Sequence, residues 1–173
     1  MHHKVTRMLF KRFTPQIFVA IVLLACCGVS ACGGDNDPVQ LFKRGDYSTA
    51  FQIFRERADS GDLVACNYLG PHYYLGVGVE RDFAQAVKWF QVAALAEQPE
   101  AQRNLGVMYL RGLGIKKDYH LAYGWMYYAH RGGNQGAKEY LNLMSDNVTP
   151  NASIVARRTV RQKIERHAAA GLN

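Results

Sequence analysis

The chain has 173 residues, a formal net charge of +7 and 12% aromatic residues. Four of the positive charges lie close to the N-terminus, at Lys4, Arg7, Lys11 and Arg12. The rest of the chain therefore carries a net charge of only +3. This balance argues against a dedicated nucleic-acid binder, because such domains present a strongly basic patch. The length suits one domain with a continuous, modest core.

The N-terminal segment is predicted to be a signal peptide and is set aside from the fold. Its apolar run, IFVAIVLLACCGV at residues 17–29, is shorter than the about 20 residues that a spanning helix needs. The run ends in V-S-A-C, which resembles a bacterial lipobox. We therefore predict a lipoprotein signal peptide over residues 1–31 and Cys32 as the lipidated new N-terminus. The alternatives are an ordinary secretory signal with a coincidental cysteine, and a weaker lipobox ending at Cys26.

Residues 32–37 are predicted to form the lipidated cysteine and a flexible tether, because glycine and small polar residues dominate there. By resemblance to lipoproteins, Gly33 after the cysteine implies sorting to the outer membrane. Cys26 and Cys27 belong to the signal peptide, so Cys66 is the one thiol left for the folded part. An intramolecular disulfide is therefore not expected, and Cys66 is predicted to be a small buried side chain.

A truncated helical unit is predicted at the start of the folded region. The stretch PVQLFKR, residues 38–44, is long enough for only a short first helix. Asp46 and Ala50 then occupy the cap and small-residue positions of a second helix.

Two complete repeat units follow. The stretch LGPHYYLGVGVERDF, residues 69–83, recurs as LGVMYLRGLGIKKDY, residues 105–119, at an offset of 36. A period of about 20–50 residues indicates stacked repeats. A glycine-rich phosphate loop is the alternative, but the stretch lacks the Lys-Ser/Thr and the leading strand of such a loop. The repeated positions are Leu69, Gly70, Tyr73, Gly76, Gly78, Asp82 and Trp89, then Leu105, Gly106, Tyr109, Gly112, Gly114, Asp118 and Trp125.

Each unit, at about residues 65–100 and 101–136, is predicted to contain two helices. Gly76 is predicted to end the first helix with a positive φ, and Gly78 permits a second unusual backbone angle. Asp82 is predicted to cap the second helix, with Gln85 completing a partial capping box.

After the second unit the pattern fades and a different helix is predicted. Ala137 and Leu141 continue the register of a first helix, and the pattern stops after Met144. Thr149 as N-cap and Pro150 at the first helical position then predict a last helix within residues 147–173. This helix is expected to cap the array. The helix carries a basic group, which consists of Arg157, Arg158, Arg161, Lys163 and Arg166, and an apolar group, which consists of Ile154, Val155, Val160 and Ile164. Gly171 lies near its C-terminal end.

The spacing A-x-x-x-L-G-x-x-Y-x-x-G-x-G-(V/I)-x-x-D-x-x-x-A-x-x-W resembles the Sel-1-like repeat, a relative of the tetratricopeptide repeat. The resemblance covers about residues 38–146 and implies an all-α fold, an α/α solenoid used as an interaction scaffold, in many bacterial members within the cell envelope. Pro71 departs from the pattern, because it removes a hydrogen bond inside the first helix and is expected to kink it.

The sequence predicts no catalytic residues, no cofactor and no metal site. His72, His120, His130 and His167 occupy unrelated repeat positions without ligands at metal spacing. The tyrosines and both tryptophans recur at helical packing positions, so they are predicted to be core rather than a binding box. The basic last helix is interpreted as a solvated face, with contact to anionic lipid or glycan as the alternative.

A partner-binding face is predicted by elimination. Positions that the repeat does not use for packing fall on another side of the first helices, where tetratricopeptide relatives contact ligands. Their identities differ between the two copies, and tyrosine and arginine anchor many interfaces. The alternative is an unconstrained surface. The predicted residues are Asn67, Pro71, Tyr74, Arg103, Val107, Leu110, Arg111 and Glu139.

The resulting hypothesis is a non-catalytic, monomeric adaptor that is lipid-anchored in the bacterial outer membrane, faces the periplasm and binds another envelope protein on its concave surface. One alternative is a module that binds cell-wall or capsule polysaccharide. The other is an enzyme of the penicillin-binding or β-lactamase type, as assigned to some cysteine-rich relatives of the repeat. Those relatives use a disulfide in each repeat, which this sequence cannot form.

Overall fold

The computed structural model describes residues 36–170. This range holds eight α-helices and no strand. The helices are α1 Pro38–Arg44, α2 Tyr47–Asp59, α3 Leu63–Leu75, α4 Phe83–Leu95, α5 Pro99–Arg111, α6 Tyr119–Arg131, α7 Gln135–Met144 and α8 Pro150–Ala169. The predicted signal peptide, Cys32 and Gly171 lie outside the described residues.

Helices α1 to α7 form a solenoid in which each helix packs on the next one along the chain. Helices α1, α3, α5 and α7 are the first helices of successive units, and α2, α4 and α6 are the second helices. The predicted all-α solenoid is confirmed. Helix α3 runs without interruption from Leu63 to Leu75 although it contains Pro71.

The turn inside each unit depends on two glycines. Gly76 ends α3 with a φ of 73° and Gly112 ends α5 with a φ of 71°. Gly78 and Gly114 follow with φ values of 74° and 66°. A side chain is strained in this region of backbone space. The positive φ predicted for these positions is confirmed.

The second glycine of each turn also lets two units approach each other. A Cβ atom at Gly78 would overlap the carbonyl group of Tyr47, the first residue of α2. A Cβ atom at Gly114 would overlap the carbonyl group of Phe83, the first residue of α4. Tyr47 and Phe83 are themselves 36 residues apart. Each turn therefore lies directly on the start of the second helix of the preceding unit.

The aspartates at the starts of the second helices close the turn in an unexpected way. The carboxylate of Asp82 accepts hydrogen bonds from the backbone N–H of Ala84 and of Gln85, at 2.8 and 3.0 Å. The backbone N–H of Asp82 donates to the carbonyl of Tyr73 at 2.9 Å. The predicted cap at Asp82 is confirmed. The Gln85 side chain does not complete a capping box, because the N–H of Asp82 donates instead to the first helix of the same unit.

The link between the two complete units carries local strain. Gly61 and Gly133, which lie 36 residues before and after Glu97, have φ values of 91° and 98°. Glu97 has a φ of 60° and is the one non-glycine residue with positive φ in residues 36–170. A left-handed conformation costs a residue with a side chain about 1–2 kcal/mol. The repeat geometry imposes this turn on a residue that does not favour it.

The two repeated tryptophans differ in burial. Trp125 in α6 is 2% exposed, whereas Trp89 in α4 is only partly buried. The guanidinium of Arg55 lies 5.8 Å from the centre of the Trp89 ring and covers it in place of a helix. The predicted packing role is confirmed for Trp125, which lies inside the core, whereas Trp89 packs against the edge of the core and stays partly exposed.

Helix α8 packs mainly against α6 and reaches α4. Its buried stripe is Ala156, Val160 and Ile164, which follow one another at intervals of four residues. Ile154 and Val155, predicted to belong to the apolar face, are instead 48% and 61% exposed. Residues four apart lie on the same side of a helix, and Ile154 and Val155 do not share the spacing of the buried stripe.

Gly124 makes the docking of α8 possible. A Cβ atom there would lie 2.7 Å from the carbonyl oxygen of Ala156 and 2.7 Å from a methyl group of Val160. The equivalent residue of the preceding unit, 36 positions earlier, is Lys88. The glycine therefore departs from the repeat where the last helix approaches most closely.

We expect Gly124→Ala to destabilise the protein by about 1–3 kcal/mol, because a backbone carbonyl cannot move aside for the new methyl group. Gly136→Ala is the matched control, since its Cβ would meet its nearest neighbour at 3.4 Å. A glycine replaced in an unstrained helical position gains about 0.4–1 kcal/mol. Urea unfolding measures both free energies; equal stability of the two variants would contradict the described packing of α8.

A buried histidine lies where the truncated first unit meets the first complete one. The ring of His72 has its centre 5.0 Å from that of Phe42, 5.5 Å from that of Phe51 and 5.9 Å from that of Phe54. Its Nδ1 lies 2.6 Å from the carbonyl oxygen of Val77. Because a carbonyl only accepts, Nδ1 carries the proton. Among the described residues, Nε2 has no hydrogen-bond partner.

Burial among these rings lowers the pKa of His72 below its usual 6.5, against an opposing effect of the bond to Val77. The unfolded chain therefore binds more protons than the folded chain below about pH 6.5. Stability is greatest above that pH and falls as the pH drops toward the lowered pKa of the folded state. Met108, at the equivalent position of the next unit, is likewise buried.

We expect His72→Met to reduce the loss of stability on acidification, because methionine has no proton to bind. Free energies of unfolding at about pH 7.5 and about pH 5.5 give this loss for each protein. The other histidines are present in both chains and cancel. An identical loss in the parent and the variant would show that His72 does not set the acid sensitivity.

Candidate functional site

A groove lies along the first helices of the two complete units and the following helix. It encloses about 340 Å³. Its walls come from α3, α5 and α7, and its floor includes Phe90 of α4. Pro71 and Val107 are equivalent positions in α3 and α5, as are Leu75 and Arg111. The groove therefore forms because the stacking of the units sets the same face of successive first helices side by side.

Five of the eight residues predicted for the partner face line this groove. Tyr74 stands on the α3 wall, and Arg103 and Arg111 stand on the α5 wall. Pro71 and Val107 lie between them. The tyrosine and the two arginines on which the prediction depended are thus brought to one cavity.

The other three predicted residues do not line the groove. Asn67 is partly buried in α3, with an Oδ1 that has no hydrogen-bond partner within residues 36–170. Leu110 packs against the main core. Glu139 is exposed on α7, next to the lining residue Tyr140.

The charged groups of the groove are both positive, and some of its polar side chains contact their neighbours. Nη2 of Arg103 donates to Oδ1 of Asn104 at 3.1 Å. The Tyr74 ring packs against the Phe83 ring of α4, with 5.5 Å between their centres. The lining contains two arginines and no carboxylate. The groove is therefore suited to a segment with an acidic group and an apolar or aromatic side chain.

The sequence analysis missed several lining residues because they come from other elements. They are Leu75, Phe90, Asn104, Met108 and Tyr140. One signal could have found two of them, since Asn104 and Tyr140 are 36 residues apart and occupy equivalent positions in α5 and α7.

A second cavity, of about 680 Å³, lies between α2 and α4. Arg55 crosses it: Nη1 donates to the hydroxyl of Tyr73 at 3.4 Å, and Nε is paired with Asp59 at 3.2 Å. The lining also holds two further carboxylates and Arg81. The positive and negative side chains that line this cavity are therefore equal in number. The cavity has no excess charge that would attract a charged ligand.

Neither cavity contains a serine or cysteine nucleophile with a histidine base. Histidine, serine and cysteine are absent from both linings. Cys66 is 2% exposed, and burial raises the pKa of its thiol, so it remains a protonated packing residue. Within residues 36–170 no group of His, Cys, Asp and Glu side chains is placed to hold a metal ion. Nor does any helix of that range have the length and apolar character to cross a membrane.

Comparison with known proteins agrees with the repeat geometry. Residues 63–97 and 99–134 each match the Sel1 repeat. The matched segments contain α3 with α4 and α5 with α6, so each comprises one first helix and the following second helix.

Two solved structures are similar to the chain. One is a protective antigen of uropathogenic Escherichia coli strains with an SLR fold, 28% identical, with a TM-score of 0.70 over 80% of this chain and 32% of that one. The other is a Sel1 repeat protein from Oxalobacter formigenes, 26% identical, with a TM-score of 0.59 over 86% of this chain and 68% of that one.

One curated relative is similar over a short stretch. It is the ERAD-associated E3 ubiquitin-protein ligase component HRD3B of Arabidopsis thaliana, 41% identical over 51 residues. The match spans 29% of this chain and 8% of that protein.

Proposed function

Because this chain is a Sel1-like repeat protein, we propose that it is a non-catalytic adaptor that holds a segment of another envelope protein in the groove of α3, α5 and α7. Sel1 repeats mediate protein–protein interaction, and proteins built from them are generally non-catalytic scaffolds. The observation that carries the proposal is the convergence of Tyr74, Arg103 and Arg111 on one apolar groove without a carboxylate.

The chemistry of the groove indicates the kind of segment it holds. Guanidinium groups form paired, charge-assisted hydrogen bonds with carboxylates. The apolar walls at Pro71, Leu75 and Val107 can bury an aliphatic or aromatic side chain next to them. Leu75 is 56% exposed, so an occupant that covers it would remove apolar surface from water and gain binding free energy. The proposed occupant is therefore an acidic segment that carries at least one large apolar residue.

The alternatives have no comparable support. Neither tryptophan offers an open face for a sugar ring, because the Trp89 ring lies under Arg55 and Trp125 is buried. The cysteine-rich enzymes to which the repeat is similar use paired cysteines, and Cys66 is a free thiol.

We expect Tyr74→Ala with Arg103→Ala to abolish partner capture while leaving the helical signal unchanged. Tyr119→Ala with Arg57→Ala is the matched control, since these residues are exposed and lie outside the groove. A photoreactive residue at Val107 measures capture in intact cells, with one at the exposed Val92 for comparison. Crosslinking that survives the double change, but is lost on altering Arg157, Arg158 and Arg161, would place the partner at α8 instead.

We also propose that the adaptor is held at the periplasmic face of the bacterial outer membrane by lipid on Cys32. The support is the V-S-A-C lipobox and the glycine-rich tether after it. Several acyl chains on one cysteine give stable anchoring, whereas a single chain binds only marginally.

We expect Cys32→Ser to leave the outer-membrane fraction and to appear as a soluble periplasmic or an uncleaved species. Immunoblotting of separated membranes measures the distribution. Cys26→Ser is the control, since it alters only the weaker lipobox and should leave the distribution unchanged. A Cys32→Ser protein that still fractionates with the outer membrane would contradict the anchor.

A further inference from the structure

A third cavity, of about 260 Å³, is lined by residues of α6 and α8 beside their contact and is distinct from the groove. We call it the arginine cleft. Four arginines line it, namely Arg131 from α6 and Arg157, Arg158 and Arg161 from α8. Tyr127 and Tyr128 form its α6 side, and the half-exposed Ile154 lies at its edge.

Two of the arginines contact neighbouring groups of α6 or α8. Nε of Arg157 donates to the carbonyl of Ser153 at 3.1 Å, and its guanidinium carbon lies 4.8 Å from the centre of the Tyr127 ring. Nε of Arg161 also pairs with Glu165 at 2.7 Å, but both of these side chains are more than half exposed, so this pair is weak. The contacts of Arg157 reduce the rotamer freedom that a ligand would otherwise have to freeze.

The cleft carries more positive than negative charge. Glu165 is the one carboxylate paired with its arginines among the described residues. Arg131 also faces a neighbouring cavity that contains Glu97, but no ion pair joins them within 4.0 Å. Four guanidinium groups and one carboxylate leave an excess of about three positive charges around a small volume.

Tyr128 lines the cleft together with arginines from both helices. Burial raises the pKa of its hydroxyl, while Arg161 and Arg131 act in the opposite direction. The hydroxyl therefore lies within the field of arginines from both helices. Like charges repel, so an anion that bridged α6 and α8 would stabilise this arrangement.

We propose that the arginine cleft binds the phosphate group of a small organic phosphate or of a lipid headgroup. A phosphate offers oxygens in several directions, which suits guanidinium groups that approach from two helices. Tyr127 and Tyr128 can donate further hydrogen bonds or lie against the organic part. The exposed Ile154, which lines the cleft, provides an apolar contact for that part.

The test uses the full-length chain in non-ionic detergent, and two soluble probes separate the two sources of phosphate. Glycerol 1-phosphate represents a soluble phosphomonoester, and glycerophosphoglycerol represents the diester headgroup of an anionic lipid. Calorimetric titration at about 20 mM salt, where exposed charges are little screened, measures each dissociation constant. Saturable binding of either probe is expected, and the tighter one identifies the source.

The decisive variant is Arg131→Gln with Arg158→Gln, which removes one guanidinium from each side of the cleft. We expect binding of the preferred probe to weaken about tenfold or more, because hydrogen bonds to charged groups are lost. Lys163→Gln with Arg166→Gln is the matched control: it removes the same charge from other sides of α8 and should change binding by less than about twofold.

Two results would overturn the proposal. One is the absence of saturable binding for both probes. The other is an equal weakening of probe binding in the cleft variant and in the control, because that result would mean that the probe is attracted by net charge alone. If the double variant unfolds, Arg158→Lys keeps the charge but loses the paired hydrogen bonds. It should still weaken binding severalfold, and unchanged binding there would also contradict the cleft.

Discussion

The fold depends on a close backbone contact between neighbouring units. In each complete unit the turn after the first helix lies on the first residue of the preceding second helix, and only glycine fits there. Gly78 and Gly114 satisfy two demands at once, a positive φ and the absence of a Cβ atom. This contact sets the distance and register between units, and the groove between successive first helices follows from that register.

The parts of the fold that were predictable from the sequence are those in which local chemistry decides the conformation. Glycine at a positive φ and aspartate at a helix start serve the same purpose in both copies, so the period of 36 marks them. The exceptions depend on contacts distant in sequence. Trp89 and Trp125 occupy equivalent positions, yet α8 packs mainly against the helix of the second, and only Trp125 is fully buried. Glu97 adopts a positive φ, which favours glycine, because the flanking helices require this turn.

The candidate site was predictable to a similar extent. Elimination of packing positions identifies one face of a helix, and that argument was sufficient for Tyr74, Arg103 and Arg111. It could not show how deeply each position lies between helices, so it also included Leu110, which packs into the core. The arginines of α8 were recognised as a basic face. Their convergence with Tyr127 and Tyr128 depends on the crossing of two helices, which no repeat pattern encodes.

The unequal burial of the two tryptophans gives each complete unit its own optical reporter. The indole of Trp125 is buried, and its neighbour Gly124 contacts α8, so we expect its fluorescence maximum at short wavelength and a shift of that maximum when α8 leaves. The indole of Trp89 is only partly buried and lies under a guanidinium, so we expect it to emit at longer wavelength. Opening of the first complete unit and loss of α8 could then be followed separately in one spectrum without an added label.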